Sequence, residues 1–382
     1  MNAIELETKW GFEVYPKRDI TLVRGQGATV WDDNGRAYID CTAGVGVASV
    51  GHANPKVAEA IAKQASTLIT CPGIFYNDVR AKLVEKLVDI TPSSLTRAFL
   101  CNSGTEAMEA AIKFARHGTG RNEFVCAMRG FHGRTMGALS ATFKYREAFE
   151  PLLPGFEFVP YNKIEKLTDA ISDTTAAVIV EPVQGEGGVR LGDREFLKTA
   201  QFLCNQHGAM LVMDEIQTGF CRTGAMFACE HHGLEPDILC LAKAIAGGVP
   251  MGAVMTSAKI EPGVGVHGTT FGGNPLAAAA ALATIEFMQN HDLANESARK
   301  GARFVARLSE TLPSSVREIR QLGLMIGIEL KEKAKPHLLA LMDAGILALP
   351  AGPTVIRLLP PLVISDEELD QVADELLAAL NT

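Results

Sequence analysis

Two charged side chains stand at the ends of apolar runs. Leu211-Val212-Met213 delivers a pair of carboxylates, Asp214 and Glu215. After a break at Glu235-Pro236-Asp237, Ile238-Leu239-Cys240-Leu241-Ala242 ends in Lys243, with Gly247 and Gly248 just beyond. Each run has the length and composition of a buried strand. Burying a charge without a partner costs several kcal/mol. Asp214 and Lys243 at two such tips are therefore read as sharing a cofactor.

Further stretches could carry chemistry. Asn102-Ser103-Gly104-Thr105-Glu106 falls where a strand turns into a helix, and Ser103 with Glu106 fits a capping box. Gly104, two hydroxyls and the free amides of a helix start also suit a phosphate. No lysine follows as in G-x-x-x-x-G-K-[ST], which excludes a nucleoside-triphosphate loop. Phe131-His132-Gly133-Arg134-Thr135 offers an aromatic face beside two cations, although, taken alone, an ordinary surface loop is the simpler reading. Glu181-Pro182-Val183-Gln184-Gly185-Glu186 sets another carboxylate past a strand, and Arg357 is a lone cation in Val355-Ile356-Arg357-Leu358-Leu359, so it needs an anionic partner. Gly263 to Gly268 matches G-x-G-x-x-G but lacks the strand before it and the helix after it that a dinucleotide site requires. Glu230-His231-His232 fits no zinc spacing, and G-x-S-x-G is absent.

The elements that must position these residues follow from periodicity. Strands are expected at 98–101, 123–128, 156–161, 176–183, 210–214, 238–242 and 252–256. Helices are expected at 55–67, 78–90, 106–116, 195–207 and 275–290. Near-continuous apolar strands alternating with helices mean a mostly parallel sheet covered on both faces. Short β segments in 316–330 and 346–364, with helices near 333–344 and 366–380, form a smaller α+β domain. Val30 to Asp40 reads as a hairpin turning at Asn34-Gly35. The expected division is an N-terminal segment, 1–50, packing with the small domain, a large domain, 51–285, and a small C-terminal domain, 286–382. With 382 residues, 47% hydrophobic and 21% charged, the chain has material for both. A net charge of −8 gives no footprint for nucleic acid or anionic lipid. No apolar run reaches the ~18 residues of a membrane span. The eight cysteines contain no C-x-x-C pair and fit a reducing compartment. With no signal-peptide pattern at the N-terminus, a cytoplasmic protein is expected.

Taken in order, Asn-Ser-Gly-Thr-Glu, Phe-His-Gly-Arg-Thr, Glu-Pro-Val-Gln-Gly-Glu, Asp-Glu-Ile-Gln-Thr-Gly, Ala-Lys-Ala-Ile-Ala-Gly-Gly and Gly-Thr-Thr-Phe-Gly-Gly-Asn-Pro resemble the class III aminotransferases, fold-type I enzymes of pyridoxal 5'-phosphate. The resemblance spans about Arg24 to Asp374. It implies that Lys243 binds the cofactor aldehyde covalently and moves the substrate proton, and that Asp214 pairs with the pyridine nitrogen. Gln217 is implied near the ring hydroxyl, Phe131 and Ile216 on the ring faces, and Ser103, Gly104 and Thr105 at the phosphate. Thr270 is implied to reach the phosphate of a neighbouring subunit, which requires a homodimer. For substrate, the resemblance implies Arg134 and Thr269 at a carboxylate, and Glu186 paired with Arg357 until a dicarboxylate acceptor needs that arginine. Val45 and Tyr15 join the substrate-binding group.

Within the family the sequence is similar to acetylornithine aminotransferases and to lysine-pathway relatives whose substrate rides on a small acidic carrier protein. Val45 stands where enzymes for free ornithine usually have a tyrosine, which points to an N-acylated substrate. The expected reaction transfers the terminal amino group of N-acetylornithine to 2-oxoglutarate. The rivals are the carrier-linked aminoadipate reaction, a succinylornithine or other omega-amino acid aminotransferase, a decarboxylase or aminomutase on the same fold, and a non-catalytic relative.

Overall fold

The computed structural model describes residues 1–381. Its centre is a seven-stranded sheet in the spatial order Leu95–Cys101, Gly252–Ser257, Ile238–Leu241, Met210–Asp214, Thr175–Val180, Glu123–Ala127, Phe156–Val159. All strands run the same way except Gly252–Ser257, which is antiparallel to both neighbours. Four of the central strands are buried at every position, as their unbroken apolar runs require. Helices Gly104–Thr119 and Arg194–His207 lie on the sheet, the former through Met108, Ala111, Ile112 and Ala115. The expected strands are all present, with ends shifted by up to three residues; 176–183 resolves into Thr175–Val180 and a two-residue strand, Val183–Gln184.

Parallel strands bring their carboxyl ends to one edge, where an open α/β sheet binds its ligands. Register then decides which side chains meet. Asp214 lies opposite Cys240, and Met213 lies opposite Val180. Asp214 and Glu181 therefore leave the sheet side by side, and the strand before Lys243 flanks Asp214.

A second, antiparallel sheet joins Val316–Leu322, Met325–Leu330, Val355–Leu358 and Leu349–Pro350. Helices Leu293–Glu310, Lys335–Asp343 and Asp366–Leu380 complete this lobe. The first of these was not expected: its inward face includes Ser297, Lys300 and Gly301 beside Phe304 and Leu308, so the apolar stripe is interrupted. Arg299, Arg303 and Arg307 rise in step with Asp366, Asp370 and Asp374 across the helix pair. Helix Pro275–Asn290 runs unbroken through position 285, so a boundary there falls inside a helix; Asp292, with φ 48°, marks the turn into the next helix.

The N-terminal strands Leu22–Gln26, Thr29–Asp32 and Ala37–Asp40 form a sheet with Ile346–Leu347 from the C-terminal part. Their hairpin is wider than a two-residue Asn-Gly turn. Asp32 Oδ1 accepts from the amides of Asn34 and Arg36 at 3.0 and 2.9 Å, while Gly35 takes φ 81°. Arg222 ties the parts together. Fully buried, it donates to the carbonyls of Leu324 and Pro360 at 3.0 and 2.7 Å and to Ser49 Oγ at 3.1 Å. No described helix is long and apolar enough to cross a membrane.

Candidate active site

The strand ends enclose a cavity of about 460 Å³ lined by residues that include Ser103, Gly104, Thr105, Phe131, Arg134, Glu186, Asp214, Ile216, Gln217 and Lys243. A larger groove of about 670 Å³ lies elsewhere, around Arg129, Arg190 and Glu318, and holds none of these residues. The chemistry therefore belongs to the smaller space.

At one end is the start of helix Gly104–Thr119. Ser103 Oγ accepts from the Glu106 amide at 3.3 Å, and the Glu106 carboxylate reaches past Ser103 to the Asn102 amide at 2.6 Å. The amides of the first turn have no acceptor within the helix. Glycine at 104 is a packing requirement, because a Cβ there would come 2.9 Å from Ile216. Thr105 Oγ1 bonds Thr135 Oγ1 at 2.8 Å, joining the helix start to the loop that carries Phe131 and Arg134.

At the other end is Asp214, buried at its strand tip. Its Oδ1 accepts from the Ile216 amide at 3.1 Å, and its Oδ2 is 2.7 Å from His132 Nδ1. His132 is 2% exposed, and its Nε2 has no partner among the described residues. Burial alone would push the His132 pKa down, but the hydrogen bond and charge of Asp214, with the charge of Glu181, outweigh it and leave it raised. Glu215, the second acid of the pair, turns away. It accepts from Thr218 Oγ1 and the amides of Ala228 and Cys229 at 2.7 to 2.8 Å and is a structural anchor.

Lys243 opens a short 3-10 turn with φ 46°, a conformation that non-glycine residues avoid. Its pKa is lowered, first by burial and next by the Arg357 cation, against the opposing charges of Glu186, Asp214 and Glu181. An amine so placed sheds its proton more readily than a free lysine. Arg357 comes from the other lobe and is 3% exposed at its side chain. Its guanidinium pairs with Glu186 at 2.7 Å and donates to Gln217 Oε1 at 3.3 Å. Gly185 makes room for this: a Cβ there would lie 2.0 Å from Gln217 Oε1.

Arg134 is exposed at the rim, its guanidinium 3.6 Å from the Tyr145 ring centre. Val45 takes φ 67° in the loop after Asp40 and packs near Val183, Val189, Met325 and Leu359. Thr269 Oγ1 accepts from Asn102 Nδ2 at 3.3 Å. Of the expected residues, Val45, Thr269, Arg357, Thr270 and Tyr15 do not line the cavity of this chain; Arg357 and Val45 stand behind its wall, while Thr270 and Tyr15 are exposed, Tyr15 by 75%. His132 and Glu181 were visible in the sequence only as a loop cation and a carboxylate past a strand. Their meeting with Asp214 depends on sheet order, which the sequence does not display.

A phosphate-bearing aromatic aldehyde fits this donor set: free helix amides for the phosphate, an aromatic and an aliphatic side chain for the ring, a carboxylate for a ring cation and a lysine for the aldehyde. Comparison with known proteins agrees. Residues 14–380 match the family model described as aminotransferase class-III. A LysW-aminoadipate semialdehyde transaminase of Deinococcus radiodurans is 51% identical, covering 98% of this chain and 89% of the relative. An acetylornithine aminotransferase of Methanocaldococcus jannaschii is 46% identical, covering 98% and 97%. An ornithine aminotransferase structure from Toxoplasma gondii, described with partial occupancy of PLP at its active site, superposes with TM-score 0.94 at 34% identity, covering 99% of this chain and 93% of that one. Fold and cavity thus define an enzyme that works through pyridoxal phosphate. More particularly, the chain belongs to the class-III aminotransferases.

Proposed function

We propose that the chain moves the terminal amino group of N-acetylornithine to 2-oxoglutarate, giving N-acetylglutamate semialdehyde and glutamate. The closed Glu186–Arg357 pair carries this assignment. It neutralises the buried Arg357 behind the lining Glu186 and leaves Arg134, stacked on Tyr145, as the lining arginine with no carboxylate partner among the described residues. A donor entering such a site leaves its α-carboxylate outside with Arg134 and brings its distal amine toward Lys243. A dicarboxylate acceptor instead draws Arg357 away from Glu186, and the planar fork of arginine suits that carboxylate.

When bound, pyridoxal phosphate supplies a carbonyl for the amine and a ring that accepts the electron pair left by the departing proton. Lys243 Nζ carries that proton. Asp214 holds the pyridine nitrogen, Gln217 faces the ring hydroxyl, Phe131 and Ile216 confine the ring, and Ser103, Gly104 and Thr105 hold the phosphate. Thr269 stands beside the substrate carboxylate, and Val45 leaves room for an acyl group. Thr270 and Tyr15 act from a second copy of the chain, in a homodimer. Exposed Ile69, Ile74, Phe75, Tyr76, Val264 and Phe271 give that copy an apolar surface to cover. Light scattering should report a dimer; a monodisperse, active monomer would rule out the shared site. The seven buried free thiols suit a cytoplasmic location, and the seven-stranded sheet and the antiparallel sheet of Val316–Leu322, Met325–Leu330, Val355–Leu358 and Leu349–Pro350 suit a division into large and small domains.

The 51% identity to the Deinococcus radiodurans enzyme favours a second possibility, the carrier-linked aminoadipate reaction with a small acidic carrier protein as partner. Rates with acetylornithine, succinylornithine, free ornithine, 4-aminobutyrate and the carrier-linked substrate decide. Acetylornithine should lead. A carrier-linked rate far above it would reassign the substrate, and carbon dioxide release without an oxoacid requirement would reassign the reaction.

A further inference from the structure

Behind Asp214 the polar chain continues. His132 bonds Asp214 through Nδ1, and its buried Nε2 faces away without a hydrogen-bond partner among the described residues. Glu181 lies on that side. A Cβ on Gly130 would be 3.1 Å from His132 Nε2 and 3.7 Å from Glu181 Oε1, so both groups border the same small residue. The Glu181 carboxylate accepts from the amides of Phe131 at 2.9 Å and Gly185 at 3.2 Å. It thereby grips both the loop of Phe131 and the loop of Glu186. Three titratable groups in one buried line are more than is needed to orient an aspartate.

We propose that Glu181 is a positioning residue for the cofactor, acting through His132: it exchanges a proton with solvent so that the buried cluster stays neutral when a cationic ring binds at Asp214. This rests on the assignment of Asp214 to the pyridine nitrogen. With His132 cationic and Asp214 anionic, a protonated Glu181 gives the cofactor-free cluster zero net charge. Arrival of the ring cation makes the ionised Glu181 the neutral arrangement, so binding expels one proton from its carboxyl to water. The groups facing Glu181 fit this role. His132 favours its ionisation and Asp214 opposes it, Lys243 and Tyr161 lie within electrostatic range, and the Tyr161 hydroxyl donates to the Glu181 carbonyl at 2.7 Å. Burial pushes the Glu181 carboxyl up to about 7, where a proton is exchangeable near neutrality.

The test is the affinity for pyridoxal phosphate, followed by absorbance after dilution of the holoenzyme, from about pH 5.5 to about pH 8.5. Titrations of the cofactor itself and of Lys243 are common to wild type and variant, so the ratio between them is informative. Relative to Glu181→Gln, wild type should gain about tenfold in affinity per pH unit below about 7 and level off above, as one linked proton requires. His132→Asn should shrink that step, because the link to Asp214 is cut. Parallel profiles, with Glu181→Gln weaker by one factor at every pH, would mean a purely structural residue and overturn the proposal. Histidine-selective nitrogen NMR of the wild-type holoenzyme needs no variant: His132 should carry protons on both ring nitrogens at pH 7, and a singly protonated ring would also overturn it. Failure of the aminotransferase assignment would look different, as no saturable pyridoxal phosphate binding at any pH.

Discussion

Glu186→Gln tests how one cavity serves two unlike substrates. In the resting structure the Arg357 guanidinium is 3% exposed and sits 2.7 Å from a Glu186 carboxylate that is itself 31% exposed. Apart from that carboxylate it donates to Gln217 at 3.3 Å, while its Nε has no partner among the described residues. Breaking a fully buried pair by deleting one partner costs about 3–5 kcal/mol, and the partial exposure of Glu186 lowers this to about 2 kcal/mol. That energy is spent where the donor must bind, because an unneutralised cation then faces the incoming amine and its aliphatic chain. The donor half-reaction should therefore lose about 30-fold in kcat/KM. The acceptor half-reaction, which under the proposed switch uses Arg357 free of Glu186, should change by less than about 3-fold, and glutamate should improve as a donor. Single-turnover absorbance changes of the cofactor measure each half separately. Equal losses in both halves, or an unchanged donor half, would refute the switch.

Lys243→Ala should abolish the visible cofactor band near ~420 nm and turnover. Because burial disfavours the Lys243 ammonium, the melting temperature should stay the same or rise; a yellow, active variant would remove Lys243 from the mechanism. Asp40→Asn should destabilise the loop that carries Val45. Burial pushes the Asp40 carboxyl up, but the hydrogen bond from His52 at 2.7 Å and those from Thr42 outweigh it and leave its pKa lowered. A lowered folded value means stabilisation present above the unfolded pKa of about 3.9 and lost as pH falls through the folded value. Urea titrations should accordingly show a loss of about 1–3 kcal/mol at pH 7 that vanishes in strong acid. Arg222→Ala should cost about 3–5 kcal/mol by the same method, since it strands two buried carbonyls and opens a void; a loss under 1 kcal/mol, small for a buried network, would show that the three parts it joins hold without it.

The Asp214 and Lys243 strands were legible because a buried parallel strand is apolar along its whole length, so a terminal charge stands out. The loops at 102–106 and 181–186 were legible for the same reason. What stayed hidden is what register and sheet order create. His132 and Asp214 are separated by 82 positions, and a whole strand, Thr175–Val180, lies between the strands that carry them. Helix Leu293–Glu310 is strongly amphipathic, so its periodicity was present in the sequence; what the sequence did not display is that Lys300 is buried on its inward face with its ammonium on the Leu362 carbonyl. Thr270 and Tyr15, expected at the site, are exposed in the single chain and do not line its cavity.

The two halves of the cavity come from different kinds of structure, and this separates chemistry from specificity. The residues we assign to phosphate, ring and aldehyde, Ser103 to Thr105, Asp214 and Lys243, all sit at the carboxyl edge of one sheet, where register fixes them. The substrate groups do not. Arg357 lies on Val355–Leu358 of the other lobe, Glu186 on the loop between Val183–Gln184 and Arg190–Leu191, and Val45 on a loop held by Asp40. Arg320 of that lobe donates to the Gly188 carbonyl at 3.0 and 2.8 Å, so the Glu186 loop is tied to Arg357's own lobe, and the pair is positioned apart from the strand tips that hold Asp214 and Lys243. Relatives that differ in donor should then differ at these loops and at the lobe contact, and a substitution that alters the donor should leave the cofactor spectrum unchanged. A change at Val45 that altered donor preference and the spectrum together would show that the halves are not separable.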